Sequence, residues 1–212
     1  MTDGTLDAAG VRRILEAMAD KIIASRDYLN DIDSGIGDAD HGTGMAQSFA
    51  KARERMAAVG GADAAGLIKG FASGVLAGGG GASGALFGSL FGEGAKAMAG
   101  KAAIAPSDLA AWWRAGLTLV QARGKAKPGD KTMVDALEPA ARALEENAAA
   151  GFAIQMEKAV QAARDGVEAT KSMVAGQGRS RYAGERSLGR QDAGATSVAL
   201  LLEAMSEALS RS

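Results

Sequence analysis

Residues 30–45 read NDIDSGIGDADHGTGM, a break between two helical patterns on which the reading of the fold turns. Asp31, Asp33, Asp38, Asp40 and the only histidine of the chain, His41, fall within this one short stretch. Gly35, Gly37 and Gly42 separate and follow them. Glycine adopts backbone conformations closed to other residues, so neighbouring carboxylates can converge on one point. Converging carboxylates repel, and a hard divalent cation with oxygen ligands relieves that repulsion. The stretch therefore reads as a metal loop, for Mg²⁺, or as a solvated acidic turn that caps the next helix. His41 reads as a general base, a metal ligand or a hydrogen-bonding partner.

Working outward, Val11, Leu15, Met18 and Ile22 mark one apolar face and predict a helix over residues 6–29. Downstream, Met45, Phe49, Met56 and Val59 mark a second helix, ended by Gly60 and Gly61. Leu67, Ile68, Phe71 and Val75 mark a third, and the run from Gly78 to Gly81 interrupts it. A fourth begins near Ser83 with Leu86, Leu90 and Met98. Its Gly84, Gly88 and Gly92 recur every four residues, a costly choice inside a helix that predicts another backbone on that bare side. Pro106 and Ser107 offer a stop and an N-cap for a fifth helix carrying Leu109, Trp112, Trp113, Leu117 and Val120. The sixth carries Met133, Leu137 and Leu144, with Pro139 expected to kink it. A seventh runs from Phe152 to Val174, and an eighth carries Val198, Leu202, Met205 and Leu209. Period-two alternation never lasts, so no strand is expected. The fold class is all-α, eight antiparallel helices packed up and down in one domain over residues 1–212.

The totals narrow the function. With 24 Lys+Arg against 25 Asp+Glu the charges nearly cancel, which speaks against a nucleic-acid partner. The absence of cysteine removes disulfides, thiolate metal sites and thiol catalysis. The opening MTDGTLDAAG lacks the regions of a secretion signal, and no apolar run approaches the ~18 residues of a membrane span. A soluble cytoplasmic chain without a membrane partner is the expectation. The 30 glycines are about twice the usual share and cluster in loops.

In an up-and-down array the connections after helices 1, 3, 5 and 7 share one end. Those are residues 30–43, 77–82, 123–131 and 176–192, the four loops of unusual composition. The second, within GGGGASGALFG (78–88), opens into a helix whose unpaired N–H groups suit a phosphate, with Ser83 adding a hydroxyl. A flexible linker is the plainer reading. The glycine run contains GxGxxG, but no strand precedes it, and no Walker motif occurs. An EF-hand fails because the twelfth position from Asp31 is Gly42 and not glutamate. The last loop carries Arg179, Arg181, Arg186 and Arg190, whose forks suit phosphate oxygens. Carboxylates, a glycine-rich helix start and arginines are the parts of phosphoryl transfer.

Four segments, IDSGIGDADHGTGM, GGGGASGALFG, GKAKPGDKTMVDALEPA and GRSRYAGERSLGRQDAGATS, occur in an order that closely resembles the ADP-binding L subunits of dihydroxyacetone kinases. The same family also supplies the C-terminal domain of single-chain versions. The resemblance implies a closed barrel of eight antiparallel helices with ADP or ATP at one end. It implies that Asp33, Asp38 and Asp40 hold Mg²⁺, as two ions bridging the phosphates, with Asp31 outside the set. His41, Gly42, Thr43 and Gly44 match nucleotide-contacting positions, as do Ala82 and Ser83. Gly124, Met133, Arg179, Asp192, Ala193 and Gly194 complete that set, with Met133 packing on the purine. No catalytic residue is assigned to the chain.

The implied activity is phosphorylation of dihydroxyacetone, or of a related ketose such as erythrulose, held by a separate K-type subunit. The phosphoryl donor is free ATP or a phosphotransferase-system protein that recharges bound ADP. A homodimer is compatible with the sequence. Two other readings stand beside this one: a nucleotide-binding regulatory module that contacts a transcription factor, and the nucleotide domain of a fatty-acid kinase. Gly44 departs from the family's usual asparagine. Arg181, Arg190 and Ala193 depart from the family's GRASYLGERSIGHQDPGA, and the two arginines are expected to meet the partner or its substrate.

Overall fold

Asp7 accepts a hydrogen bond from the Gly10 N–H at 2.8 Å and so starts the first helix, α1 (Ala8–Ala24). In the computed structural model, which describes residues 4–60 and 63–211, this helix does not run on to residue 29. The backbone leaves the helical path at Ser25, and α2 (Arg26–Ser34) follows at once. Asn30, Asp31 and Asp33 are therefore helical, and the acidic loop shrinks to residues 35–40. The first three residues and Gly61, expected to help stop the second helix, lie outside the described residues.

The remaining helices are α3 (His41–Ala57), α4 (Ala64–Ala77), α5 (Gly81–Ala97), α6 (Pro106–Gly124), α7 (Val134–Glu146), α8 (Gly151–Ala169) and α9 (Ala193–Ser210). Each packs on the next in sequence from α3 to α9, and α1 packs on both α3 and α9. Contacts thus run round a ring of eight helices, and α2 lies across α3 and α9. Short connections between touching helices make them antiparallel neighbours. Among the described residues the one pairing of strand type is an isolated bridge, Leu6 with Ile104, and no helix is long and apolar enough to cross a membrane.

The interior is built from few aromatics and many small residues. Phe49 meets Phe71 and Phe91 edge to face at 5.6 and 5.9 Å, and the chain of rings continues through Trp112 to Trp113. Such pairs add about 0.5–1.5 kcal/mol each beyond their burial. Small residues let the backbones approach. On α4, a Cβ at Gly74 would lie 2.3 Å from the Ala52 Cα, so α4 rests directly on the α3 backbone.

Several local expectations change. The bare side of α5 meets α4 at Gly84 and Gly88, but Gly92 faces open space. Ala105, not Ser107, is the N-cap of α6; Pro106 takes the first helical position, and Asp108 accepts from the Ala105 N–H at 2.9 Å. Helix α7 runs unbroken through Pro139. Pro139 has no N–H to offer the Asp135 carbonyl, and the α8 backbone passes close to that oxygen at Gly166. Helix α8 stops at Ala169, leaving Val174 in the last connection, where a 3₁₀ segment (Arg179–Ser187) forms with a break at Gly184.

Candidate functional site

Alternating direction round the ring gives α3, α5, α7 and α9 a common end, where each of them begins. The first turn of a helix presents unpaired N–H groups and the positive end of its dipole, both favourable to anions. First-turn residues of all four helices line a single cleft of about 630 Å³, within the ordinary size for a small-molecule site. Every metal or nucleotide residue implied by the resemblance lines it except Gly42, and of the four arginines in the last loop only Arg179 does. A Cβ at Gly42 would lie 2.0 Å from the Arg26 carbonyl oxygen, so this glycine lets α3 start against α2. Asn30 ties the same junction, accepting from the Thr43 N–H and donating to its hydroxyl, both at 3.0 Å.

Of the two roles its sequence allowed, the acidic loop caps the next helix, and its carboxylates also converge. Asp33, buried at the end of α2, accepts from the Asp40 and His41 N–H groups at 3.1 and 3.4 Å, a cap for α3. A side chain at Gly37 would collide with that carboxylate, its Cβ falling 2.1 Å from an Asp33 oxygen. Asp38 and Asp40 are exposed, with Ala39 between them turned to φ +61°. One oxygen from each of Asp33, Asp38 and Asp40 lies within 4.8 Å of the others, a donor set of hard oxygens that fits a divalent cation. Asp31 is exposed on α2 and outside this group. Arg179 reaches across from the last connection to pair with Asp38 and, at 2.8 Å, with Asp40. Both pairs are solvent-exposed, so they add little to stability and are readily exchanged.

His41 faces inward. Burial pushes its pKa down to about 4, with the charge of Asp33 opposing, so the ring is neutral at pH 7. Ser197 and Ser83 occupy its two nitrogens, at 2.8 and 3.3 Å. Of the three sequence readings of His41, the geometry supports the hydrogen-bonding partner. Across the cleft Met133 is buried at the start of α7, and a Cβ at Gly194 would sit 3.3 Å from its own Cβ. Gly124 lies beside Leu86, and with Val120 and Phe87 they make this side of the cleft apolar. Gly44 brings α3 to the glycine loop: a Cβ there would stand 3.1 Å from the Gly80 Cα.

Two residues with structural weight had no role in the sequence reading. Lys131 is 1% exposed, holds φ +59°, and donates to the Thr170 carbonyl at 2.5 Å and to the Arg190 carbonyl, pinning the α6–α7 connection to the α8–α9 connection. Burial lowers its pKa, against the pull of Asp192 and Asp135. Asp135 accepts from the Gly129 and Thr132 N–H groups at 2.5 and 2.7 Å. The spacing Thr132-x-x-Asp135 is a helix-start signature, and it is the signal that could have found this brace. Asp192 caps α9 by accepting from Ala195 N–H at 2.7 Å. Burial pushes its carboxyl up to about 7, with Asp135 and Asp33 adding to the rise and the Ala195 bond and Lys131 opposing it. Arg190 packs over Gly35 in the acidic loop, while Arg181 stacks on the exposed ring of Tyr182 at 4.7 Å.

Residues 35–207, the span holding these groups except Asp33 and the α2 residues before it, match the family model described as the DAK2 domain. The chain belongs to the DAK2 domain family. This DAK2 domain is 37% identical over 179 residues to the ADP-binding subunit DhaL of a PEP-dependent dihydroxyacetone kinase from Escherichia coli (strain K12), covering 84% of this chain and 85% of the relative. It is 33% identical over 214 residues to the ADP-binding subunit DhaL of PEP-dependent dihydroxyacetone kinase 2 from Listeria innocua, covering 100% and 99% of the two chains. A D-erythrulose kinase from Mycolicibacterium smegmatis is 33% identical over 214 residues, with 99% of the DAK2 chain matching 37% of that longer protein. In fold it is similar to a dihydroxyacetone kinase of C. freundii in its native form, with a TM-score of 0.71 at 24% identity, over 94% of this chain and 34% of that one.

Proposed function

We propose that this DAK2 domain binds a Mg²⁺–nucleotide in the cleft at the starts of α3, α5, α7 and α9. In this reading it serves as the ADP/ATP-carrying subunit of a kinase for dihydroxyacetone or a related ketose. The observation that carries the reading is the convergence of three carboxylates and four helix starts on one cleft. Asp33, Asp38 and Asp40 would hold the metal, as two ions in the family's manner, and the metal would neutralise charge on the phosphate oxygens. Asp33 stays anchored by its backbone hydrogen bonds and sets the position of the other two. The N–H groups from Gly81 to Ser83 face the phosphates, Arg179 supplies positive charge beside them, and Met133 offers an apolar face to the base.

His41 has both nitrogens engaged by serine hydroxyls and a pKa far below neutrality, so it does not serve as a base. Activation of the acceptor hydroxyl belongs to a second, K-type protein that holds the ketose. Arg181 on the exposed Tyr182 marks the outer rim where that protein would dock. The PEP-dependent and PTS-dependent relatives favour a cycle in which ADP stays bound and a phosphotransferase-system protein recharges it, with the cytoplasm as the proposed location.

The test is an assay of ketose phosphorylation with three- and four-carbon ketoses and Mg²⁺, with and without a K-type protein. ATP and a recharging phosphotransferase mixture are compared as donors. Turnover only with the partner is the expected result. Robust turnover by this chain alone contradicts the two-component reading.

A further inference from the structure

His41 carries the only imidazole in the chain, and it stands at the first position of α3 between two serines from other helices. Its Nε2 lies 2.8 Å from Ser197 Oγ in α9, and its Nδ1 lies 3.3 Å from Ser83 Oγ in α5. Ser197 is fully buried, and its hydroxyl also donates to the Ala193 carbonyl oxygen one turn earlier, at 3.1 Å. A carbonyl only accepts, so that contact takes the single hydrogen of Ser197. The serine oxygen is then an acceptor, and the partner at 2.8 Å is the Nε2–H of His41. A neutral imidazole has one N–H, which leaves Nδ1 to accept from the Ser83 hydroxyl. Donation therefore runs one way, from Ser83 through His41 and Ser197 to Ala193, and it joins the first turns of α3, α5 and α9.

We propose that Ser197 is a positioning residue of the nucleotide site: it locks His41 as the Nε2–H tautomer and thereby fixes Ser83 at the phosphate end of the cleft. The inference rests on the nucleotide reading above. Ser197 does not line the cleft and acts only through the imidazole, whose free orientation would otherwise leave Ser83 without a set partner. The helix starts around the phosphates are then held in one arrangement before ligand arrives, which is how preorganised donors gain their strength.

Because the chain has one histidine, the tautomer can be read without assignment ambiguity. The experiment records long-range ¹H–¹⁵N correlations of the imidazole in the tag-free, ¹⁵N-labelled full chain, for wild type, Ser197→Ala and Ser197→Cys. Mg²⁺–ADP titrations accompany each spectrum. Cysteine nearly keeps the volume but offers only a weak acceptor, so it stands in should the alanine variant fail to fold. The expected result is a neutral Nε2–H ring in wild type, a shifted or mixed tautomer in the variants, and Mg²⁺–ADP affinity weakened on the order of tenfold. A wild-type ring protonated at Nδ1 overturns the proposal, and so do variants with unchanged tautomer or unchanged affinity. A wild-type chain with the Nε2–H ring that binds no Mg²⁺–ADP overturns the nucleotide reading, and the site role of Ser197 with it, but leaves the hydrogen-bond link standing.

Discussion

Asp33, Asp38 and Asp40 are chemically alike, and their surroundings give them different work. Asp33 caps α3 from a buried position, whereas Asp38 and Asp40 project to solvent with Arg179 across them. Replacing Asp38 or Asp40 by asparagine should remove Mg²⁺-dependent nucleotide binding with little change in melting temperature. Asp31→Asn, outside the cluster, should bind as wild type; equal damage at Asp31, read by titration calorimetry, would overturn the ligand assignment. Asp192 offers a test by pH. Folding lifts its carboxyl to about 7, well above the ~4 of a free aspartate, so the folded chain keeps a proton that the unfolded chain has lost. The stability from this group is present at low pH and is lost as pH rises toward 7. His41 pulls the other way, since its folded pKa of about 4 lies below the ~6.5 of free imidazole, and stability rises between those values. Asparagine at 192 keeps the helix cap but not the titration. Between about pH 5 and about pH 8, Asp192→Asn should therefore gain stability relative to wild type. Melting curves that shift equally in both proteins would contradict the buried, proton-holding carboxyl.

At the scale of elements, the apolar spacings placed all the main helices, because burial of one face leaves a period that sequence preserves. Closeness between helices leaves no such trace. Glycines every four residues in α5 signalled a bare side, yet a Cβ at Gly92 would meet nothing, while Gly74 in α4 is where two backbones meet. Spacing says that a side is bare and not what it faces. Gly74→Ala should cost about 1–3 kcal/mol by forcing α4 off α3. Gly92→Ala, in open space, should be stabilising by about 0.5–1 kcal/mol through helix propensity alone. Urea unfolding of the two variants separates these signs, and a neutral Gly74→Ala would mean that α4 does not rest on the α3 backbone. The break at Ser25 was also invisible, since the apolar spacing of α1 runs on from Ile22 to Leu29 in α2.

For the whole molecule, helix count and direction alone brought four loops to one end, and the resemblance named the residues that line the cleft there. Lys131 and Ser197 escaped notice for the same reason: each works on a segment far away in the chain, Lys131 on Arg190 and Ser197 on His41. The central claim is that this end holds nucleotide through a metal, and the most direct measurement is the melting temperature with ADP, with and without Mg²⁺. A ligand at 100 times its dissociation constant adds about 2.7 kcal/mol of stability. The account expects ADP with Mg²⁺ to raise the melting temperature by several degrees, EDTA to abolish the rise, and Asp38→Asn to show none. A rise of the same size in EDTA, or in Asp38→Asn, would contradict a metal-bridged nucleotide at the carboxylate cluster.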